Sequence, residues 1–179
     1  MPPAKTVFRP DLFQGKTAIV TGGGTGIGYQ VAQELLALGC EVFICSRSQA
    51  KLDAAVAALA VGSCAGRIHA IACNVRKEEE VVSFVEQVVA KAPRIDHLVN
   101  CAGGQFIAAA DSLTAKGFKA VVELNLLGTF QMCREVFAQS MREHGAPPLP
   151  GPQGLPACGL RPSRPPPPRQ AARSSTSRW

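Results

Sequence analysis

From Gln14 to about Met141, short apolar runs alternate with amphipathic stretches. Thr17-Ala18-Ile19-Val20 carries no charge and predicts a buried strand. Gly26 to Leu38 reads as a helix ended by Gly39. Glu41 to Cys45 predicts a second strand, Gln49 to Leu59 a second helix, and Ile68 to Ala72 a third strand. Over Lys77 to Lys91, Val81, Val85, Val88 and Val89 fall on one helical face. His97 to Asn100 predicts a fourth strand, and about Ala115 to Met141 a long helix. Strict alternation of strand and helix at this spacing implies a parallel sheet with right-handed crossovers. The expected fold is therefore α/β: a doubly wound parallel sheet in the order 3-2-1-4, ending after the fourth strand and its helix.

Beyond His144 the pattern stops. Residues 146–179 hold ten prolines, five arginines and no acid. Such a segment buries too little apolar area to offset its ordering entropy, and disorder with polyproline II character is expected. Two regions follow, 1–144 as a folded nucleotide-binding half and 145–179 as a Pro/Arg-rich tail. The tail begins abruptly where a fifth strand is due, so it reads as the product of a shifted frame or a mis-spliced transcript. The alternative is a docking ligand built on Pro165 to Pro168 between Arg164 and Arg169.

Composition narrows the class. With 46% apolar residues and no run near the roughly 18 that a span requires, no membrane helix is expected. The net charge of +6 invites nucleic acid, but residues 1–144 hold 14 bases against 13 acids, a balance of +1. The excess lies in the tail arginines, so no nucleic-acid face is predicted. The seven cysteines include no Cys-x-x-Cys pair, which fits free thiols in a reducing compartment and no metal site. Met1 to Pro10 has no secretory pattern, and the end Thr176 to Trp179 is not of the Ser-Lys-Leu type. By default that places the chain in the cytosol.

The chemistry begins at Thr21-Gly22-Gly23-Gly24-Thr25-Gly26-Ile27-Gly28, set between the first strand and first helix. It fits a Thr-Gly-x-x-x-Gly-x-Gly turn, not the Gly-x-Gly-x-x-Gly register. Gly22 would permit the tight turn, Gly26 close approach of a pyrophosphate, and Gly28 helix–strand packing. A pyrophosphate there would sit at a helix N-terminus, where unpaired N–H groups and the dipole favour anions. Eighteen residues past Gly28, where an NAD-selective protein places Asp or Glu on the ribose hydroxyl, stand Ser46 and Arg47. A carboxylate would repel a 2′-phosphate, whereas a hydroxyl and a guanidinium would bind one, so NADPH/NADP is the expected cofactor.

These residues, with Asn100-Cys101-Ala102-Gly103 and Asn125, resemble the short-chain dehydrogenase/reductase family over about residues 8–144. Within it, residues 73–81, 103–106 and 124–133 look most like the peroxisomal trans-2-enoyl-CoA reductases. The peroxisomal 2,4-dienoyl-CoA reductases are resembled less closely. The resemblance implies a Rossmann fold with Thr21, Gly22, Gly24, Thr25, Gly26, Ile27 and Gly28 on the cofactor. It implies Asn74 and Val75 beside the adenine, Asn74 replacing the usual aspartate. Asn100, Ala102 and Gly103 would line the adenine and ribose side, with Asp96 steadying their strand. Gly104, Gln105 and Phe106 would border an acyl pocket. Asn125 resembles the helix asparagine that positions a water in the proton relay, which is the role expected of it here, with satisfaction of a backbone carbonyl as the lesser alternative.

The implied activity is NADPH-dependent reduction of a trans-2-enoyl-CoA thioester to acyl-CoA, a step of peroxisomal fatty-acid elongation, in a homo-oligomer for full-length relatives. Reduction of 2,4-dienoyl-CoA or a 3-oxoacyl group is the rival reaction. The family's serine and Tyr-x-x-x-Lys are the point of departure. The lone tyrosine here is Tyr29, followed four residues on by Gln33. Without that acid the chain is expected to be inactive, and a non-catalytic nucleotide-binding fragment is the remaining alternative.

Overall fold

The computed structural model describes residues 7–9 and 11–142. The apolar runs form β1 (Thr17–Thr21), β2 (Glu41–Ser46), β3 (Ile68–Ala72) and β4 (His97–Asn100). All pairings are parallel, in the order β3-β2-β1-β4, as the alternation of strand and helix predicts. The intervening helices are α1 (Gly26–Ala37), α2 (Gln49–Leu59) and α3 (Glu78–Lys91). Each predicted element through β4 forms, with ends displaced by no more than one residue.

The sheet has two cores because side chains alternate across a strand. Ile19, Phe43 and Cys45 face α3, packing with Phe84, Val85 and Val88. Ala18, Val20, Val42 and Ile44 face the other way, against Ala32, Leu36 and Leu52 of α1 and α2. Helices on both faces explain the unbroken apolar character of β1, buried at every position. The valine pattern of α3 holds for Val81, Val85 and Val88. Phe84 completes the buried face, and Val89 is half-buried at its margin.

The long helix expected over 115–141 is present but not regular. α4 (Ala115–Val122) and α5 (Gly128–Val136) flank a π-helical segment, Glu123–Leu127, and a second follows at Phe137–Met141. A π turn inserts one residue into the helical repeat, and a 3.6-residue period cannot announce it. Ser140 anchors the far end: its hydroxyl accepts from the Ile95 N–H at 2.9 Å and donates to the Pro93 carbonyl at 3.0 Å.

Asp96 plays the steadying part expected of it. Its Oδ2 accepts from the Thr17 N–H at 3.1 Å, and its Oδ1 meets Lys16 at 3.2 Å and Arg94 at 2.8 Å. Two of these donors, Thr17 and Lys16, fasten the start of β4 to the start of β1, and Arg94 holds the carboxylate from its own segment. The disorder, docking and frame-shift readings of residues 145–179 fall outside the described residues.

Candidate functional site

A cleft of about 590 Å³ opens at the carboxyl ends of the strands. That is where a doubly wound sheet presents ligands, because the crossovers diverge there. One wall is the turn after β1. Gly22 has φ +71°, and a β-carbon there would lie 3.0 Å from the Ala102 nitrogen and the Cys101 oxygen. At Gly28 a β-carbon would meet the Gly22 carbonyl oxygen at 2.5 Å, so helix and turn touch backbone to backbone. Gly26 opens α1 with φ +60° and does not itself line the cleft. What requires glycine at position 26 is its backbone conformation.

α1 begins without a side-chain cap and without an acid in its first turn. By contrast, Ser48 caps α2, Thr114 caps α4, and α3 opens with Glu78, Glu79 and Glu80. The N–H groups at the start of α1 therefore have no internal acceptor of that kind, and they border the cleft through Ile27 and Gly28. The second wall carries Ser46, Arg47, Ser48 and Lys51. Neither Arg47 nor Lys51 has a carboxylate partner among the described residues, whereas Lys16, Arg76, Lys77, Arg94, Lys119 and Arg134 all do. Both ends of the cleft thus offer donors in want of an anion.

The third wall is Cys73, Asn74 and Val75. Glu80 holds it: its carboxylate accepts from the Asn74 N–H at 2.8 Å and pairs with Lys77 at 2.8 Å. Those contacts keep the Glu80 carboxyl below the ordinary range, with Lys77 the larger cause. Gly128 lets α5 close on this wall, since a β-carbon there would meet Val75 Cγ2 at 2.8 Å.

Most of the predicted contacts meet in this cleft. Gly22, Gly24, Thr25, Ile27, Gly28, Ser46, Arg47, Asn74, Val75, Ala102 and Gly103 line it. Three expected contacts do not: Gly26, whose backbone turns at the start of α1, and Thr21 and Asn100, which point elsewhere from strand ends. The Thr21 hydroxyl accepts from the Ala102 N–H at 3.0 Å, tying β1 to the loop after β4. Asn100 turns towards α5, its Nδ2 donating to Cys133 Sγ at 3.4 Å while its buried Oδ1 has no partner. Sequence reasoning missed Cys45, Ser48, Lys51, Cys73 and Leu124. Ser48 and Lys51 were findable, being the cap and first turn of a correctly placed helix.

The loop residues Gly104, Gln105 and Phe106 lie exposed and outside the cleft lining. Phe106 rests its ring on Gly117, where a β-carbon would come within 2.6 Å of it. Asn125 sits in the middle of the first π segment, and its amide engages one residue twice. Its Oδ1 accepts from the Gly104 N–H at 3.0 Å and its Nδ2 donates to the Gly104 carbonyl at 2.7 Å. Of the two uses expected for Asn125, the structure shows the satisfaction of backbone groups, here those of a neighbouring loop. Among the described residues no cluster of His, Cys, Asp or Glu could hold a metal ion, and no helix is long and apolar enough to cross a membrane.

The turn, cleft and sheet order are shared with a known family. Residues 16–146 match the profile of the short chain dehydrogenase family. The chain belongs to that family. It is 37% identical over 139 residues to the peroxisomal 2,4-dienoyl-CoA reductase of Rattus norvegicus, covering 78% of this chain and 47% of the relative. Among solved structures, the citronellol catabolism dehydrogenase AtuB of Pseudomonas aeruginosa superposes with a TM-score of 0.74 at 41% identity, over 80% of this chain and 58% of that one. The RhlG/NADP active-site complex of the same organism gives 0.69 at 31% identity, over 75% and 52%. The chain spans about half the length of the curated relatives it matches.

Proposed function

We propose that this short-chain dehydrogenase binds NADPH in the cleft and forms the nucleotide-binding half of a reductase for trans-2-enoyl-CoA thioesters. The carrying observation is the cleft's unmet demand for anions, from the uncapped start of α1 to Arg47 and Lys51. The α1 end suits the pyrophosphate. The Ser46 hydroxyl with Arg47 and Lys51 suits a 2′-phosphate, and no carboxylate stands among the lining residues to prefer a free ribose hydroxyl. Asn74 and Val75 offer the adenine a wall that Glu80 and Gly128 hold still. NADPH bound there supplies hydride to the substrate. Asn125 serves as a positioning residue, latching the Gly104 loop to the helix.

The acyl-CoA class rests on the resemblance of residues 73–81, 103–106 and 124–133 and on the names of the peroxisomal relatives, and peroxisomal residence is proposed with it. Those names favour a second reading, reduction of a 2,4-dienoyl-CoA, which differs in the conjugation of the double bond and leaves the nucleotide chemistry unchanged. With Tyr29 as the lone tyrosine, packed among the α1 core residues, no general acid is assigned. The chain by itself should bind nucleotide without reducing either thioester.

Fluorescence titration tests this reading. NADPH should bind more tightly than NADH, and Arg47→Asp should cost NADPH about 1–3 kcal/mol, roughly 5-fold to 160-fold, while NADH changes less. Equal affinities for the two cofactors would defeat the proposal. With trans-2-enoyl-CoA or 2,4-dienoyl-CoA present, NADPH absorbance should decay at the rate without protein, and faster decay would show that another residue is the acid.

A further inference from the structure

Three cysteines line the cleft, and two of them belong to one another. Cys45 is the fifth residue of β2 and Cys73 follows the last residue of β3. The register pairs Cys45 with Ile71, and the ladder runs on past the strand end, the Cys73 N–H donating to the Ser46 carbonyl at 3.0 Å. Two residues beyond Ile71, Cys73 returns to the face that Cys45 occupies, and both thiols join the core cluster of Ile19, Phe43 and Val75. The neighbouring Cys45 thiol favours the Cys73 thiolate, against burial and the Glu80 carboxylate. The Cys73 neighbour, with burial, pushes the Cys45 thiol well up. Cys40, buried on the opposite face, is pushed up to about 12 mainly by burial and is inert by comparison.

We propose that Cys45 and Cys73 form a thiol-oxidation site in the cleft floor, whose disulfide excludes nucleotide. The oxidant is a small hydroperoxide. The Cys73 thiolate attacks its terminal oxygen, breaking the O–O bond and releasing an alcohol or water as a sulfenic acid forms. The Cys45 thiol then displaces water from that sulfenic acid and closes the S–S bond. Two thiols are oxidised, one peroxide bond is reduced, and a dithiol reverses the change. With exposures of 0% and 2%, the pair admits a small oxidant from the cleft and rejects bulky disulfides. Drawing the sulfurs to a bond length of about 2.05 Å must move the segment from Cys73 to Val75, because Cys45 is locked within β2. That segment is the wall on which the base would lie. The exclusion therefore rests on the nucleotide reading above, whereas the disulfide does not.

The test uses the 179-residue chain treated with hydrogen peroxide and then digested with trypsin. The link should join peptide 17–47 to peptide 68–76. It should persist in Cys40→Ser, vanish in both Cys45→Ala and Cys73→Ser, and form more slowly when NADPH is saturating. NADPH affinity of the linked protein should fall at least about tenfold and return with dithiothreitol. In Cys73→Ser, peroxide should leave affinity at that variant's own untreated value. Oxidation of the exposed Cys133 without any 17–47 to 68–76 link would overturn the site, as would a link that survives Cys45→Ala. Linked protein that binds NADPH as tightly as reduced protein would overturn the exclusion. The link is read without nucleotide, so failure of reduced protein to bind NADPH would count against the proposed function alone.

Discussion

Strands β1 and β4 lie side by side in one sheet, yet β1 is buried at all five positions and β4 is half-exposed at all four. Around β1 the chain covers both faces, with α1 and α2 on one and α3 on the other. Around β4 the outer edge has no strand partner among the described residues, and the helices behind it show apolar side chains, Leu126 at 68% and Phe130 at 55% exposure. The difference separates two jobs. The nucleotide side is built from contacts that neighbouring elements supply in sequence order, so it closes on itself. The β4 side leaves apolar surface that the described residues do not cover.

The contrast can be broken hardest at the closed side. Gly28→Ala would drive a methyl into the Gly22 carbonyl, backbone against backbone, with no side chain free to yield. Loss of about 3 kcal/mol is expected in chemical denaturation, together with loss of nucleotide binding. Unchanged stability would show that the turn and α1 can part at little cost.

The seam between the sides is next. Burial alone would raise the Asp96 carboxyl, but the Thr17 N–H, Lys16 and Arg94 outweigh it and hold it below the ordinary range. A depressed folded value stabilises the protein above the unfolded value of about 3.9, and that stabilisation disappears as pH falls through the folded value. Asp96→Asn should therefore lose about 2 kcal/mol near neutral pH, with the gap to the parent narrowing below about pH 4. A gap that stays constant into acid would mean that the carboxylate charge is not what joins β4 to β1.

The open side should respond least. Phe130→Glu places an acid four residues before Arg134, whose guanidinium already lies 5.8 Å from the Phe130 ring. Stability should move by less than about 0.5 kcal/mol while self-association, read by light scattering, declines. A large destabilisation would reveal that the phenyl ring is packed and not merely exposed.

The same contrast divides what could be read from the sequence. Around β1, apolar runs, a glycine turn and helix caps are local features, and β1, α2, β3 and β4 follow from them nearly residue for residue. What escaped needed a neighbour. Cys45 and Cys73 lie 28 positions apart and meet through strand register. Lys51 reaches the cleft because α2 starts where β2 ends, four residues beyond Arg47. Thr21 and Asn100 carry the right residue types but face across the strand, an alternation that a motif does not record. The residue type of Asn125 marks it, but its two bonds to Gly104 depend on an irregular turn that no apolar periodicity encodes.

The bare start of α1 leaves its first amides for a visitor to complete. A helix finished by its ligand is firmer when the ligand is plentiful: a nucleotide at one hundred times its Kd would add about 2.7 kcal/mol. Because the oxidised and reduced forms of such a nucleotide carry the same pyrophosphate, its total supply, and not its redox state, would then govern how long this protein survives proteolysis.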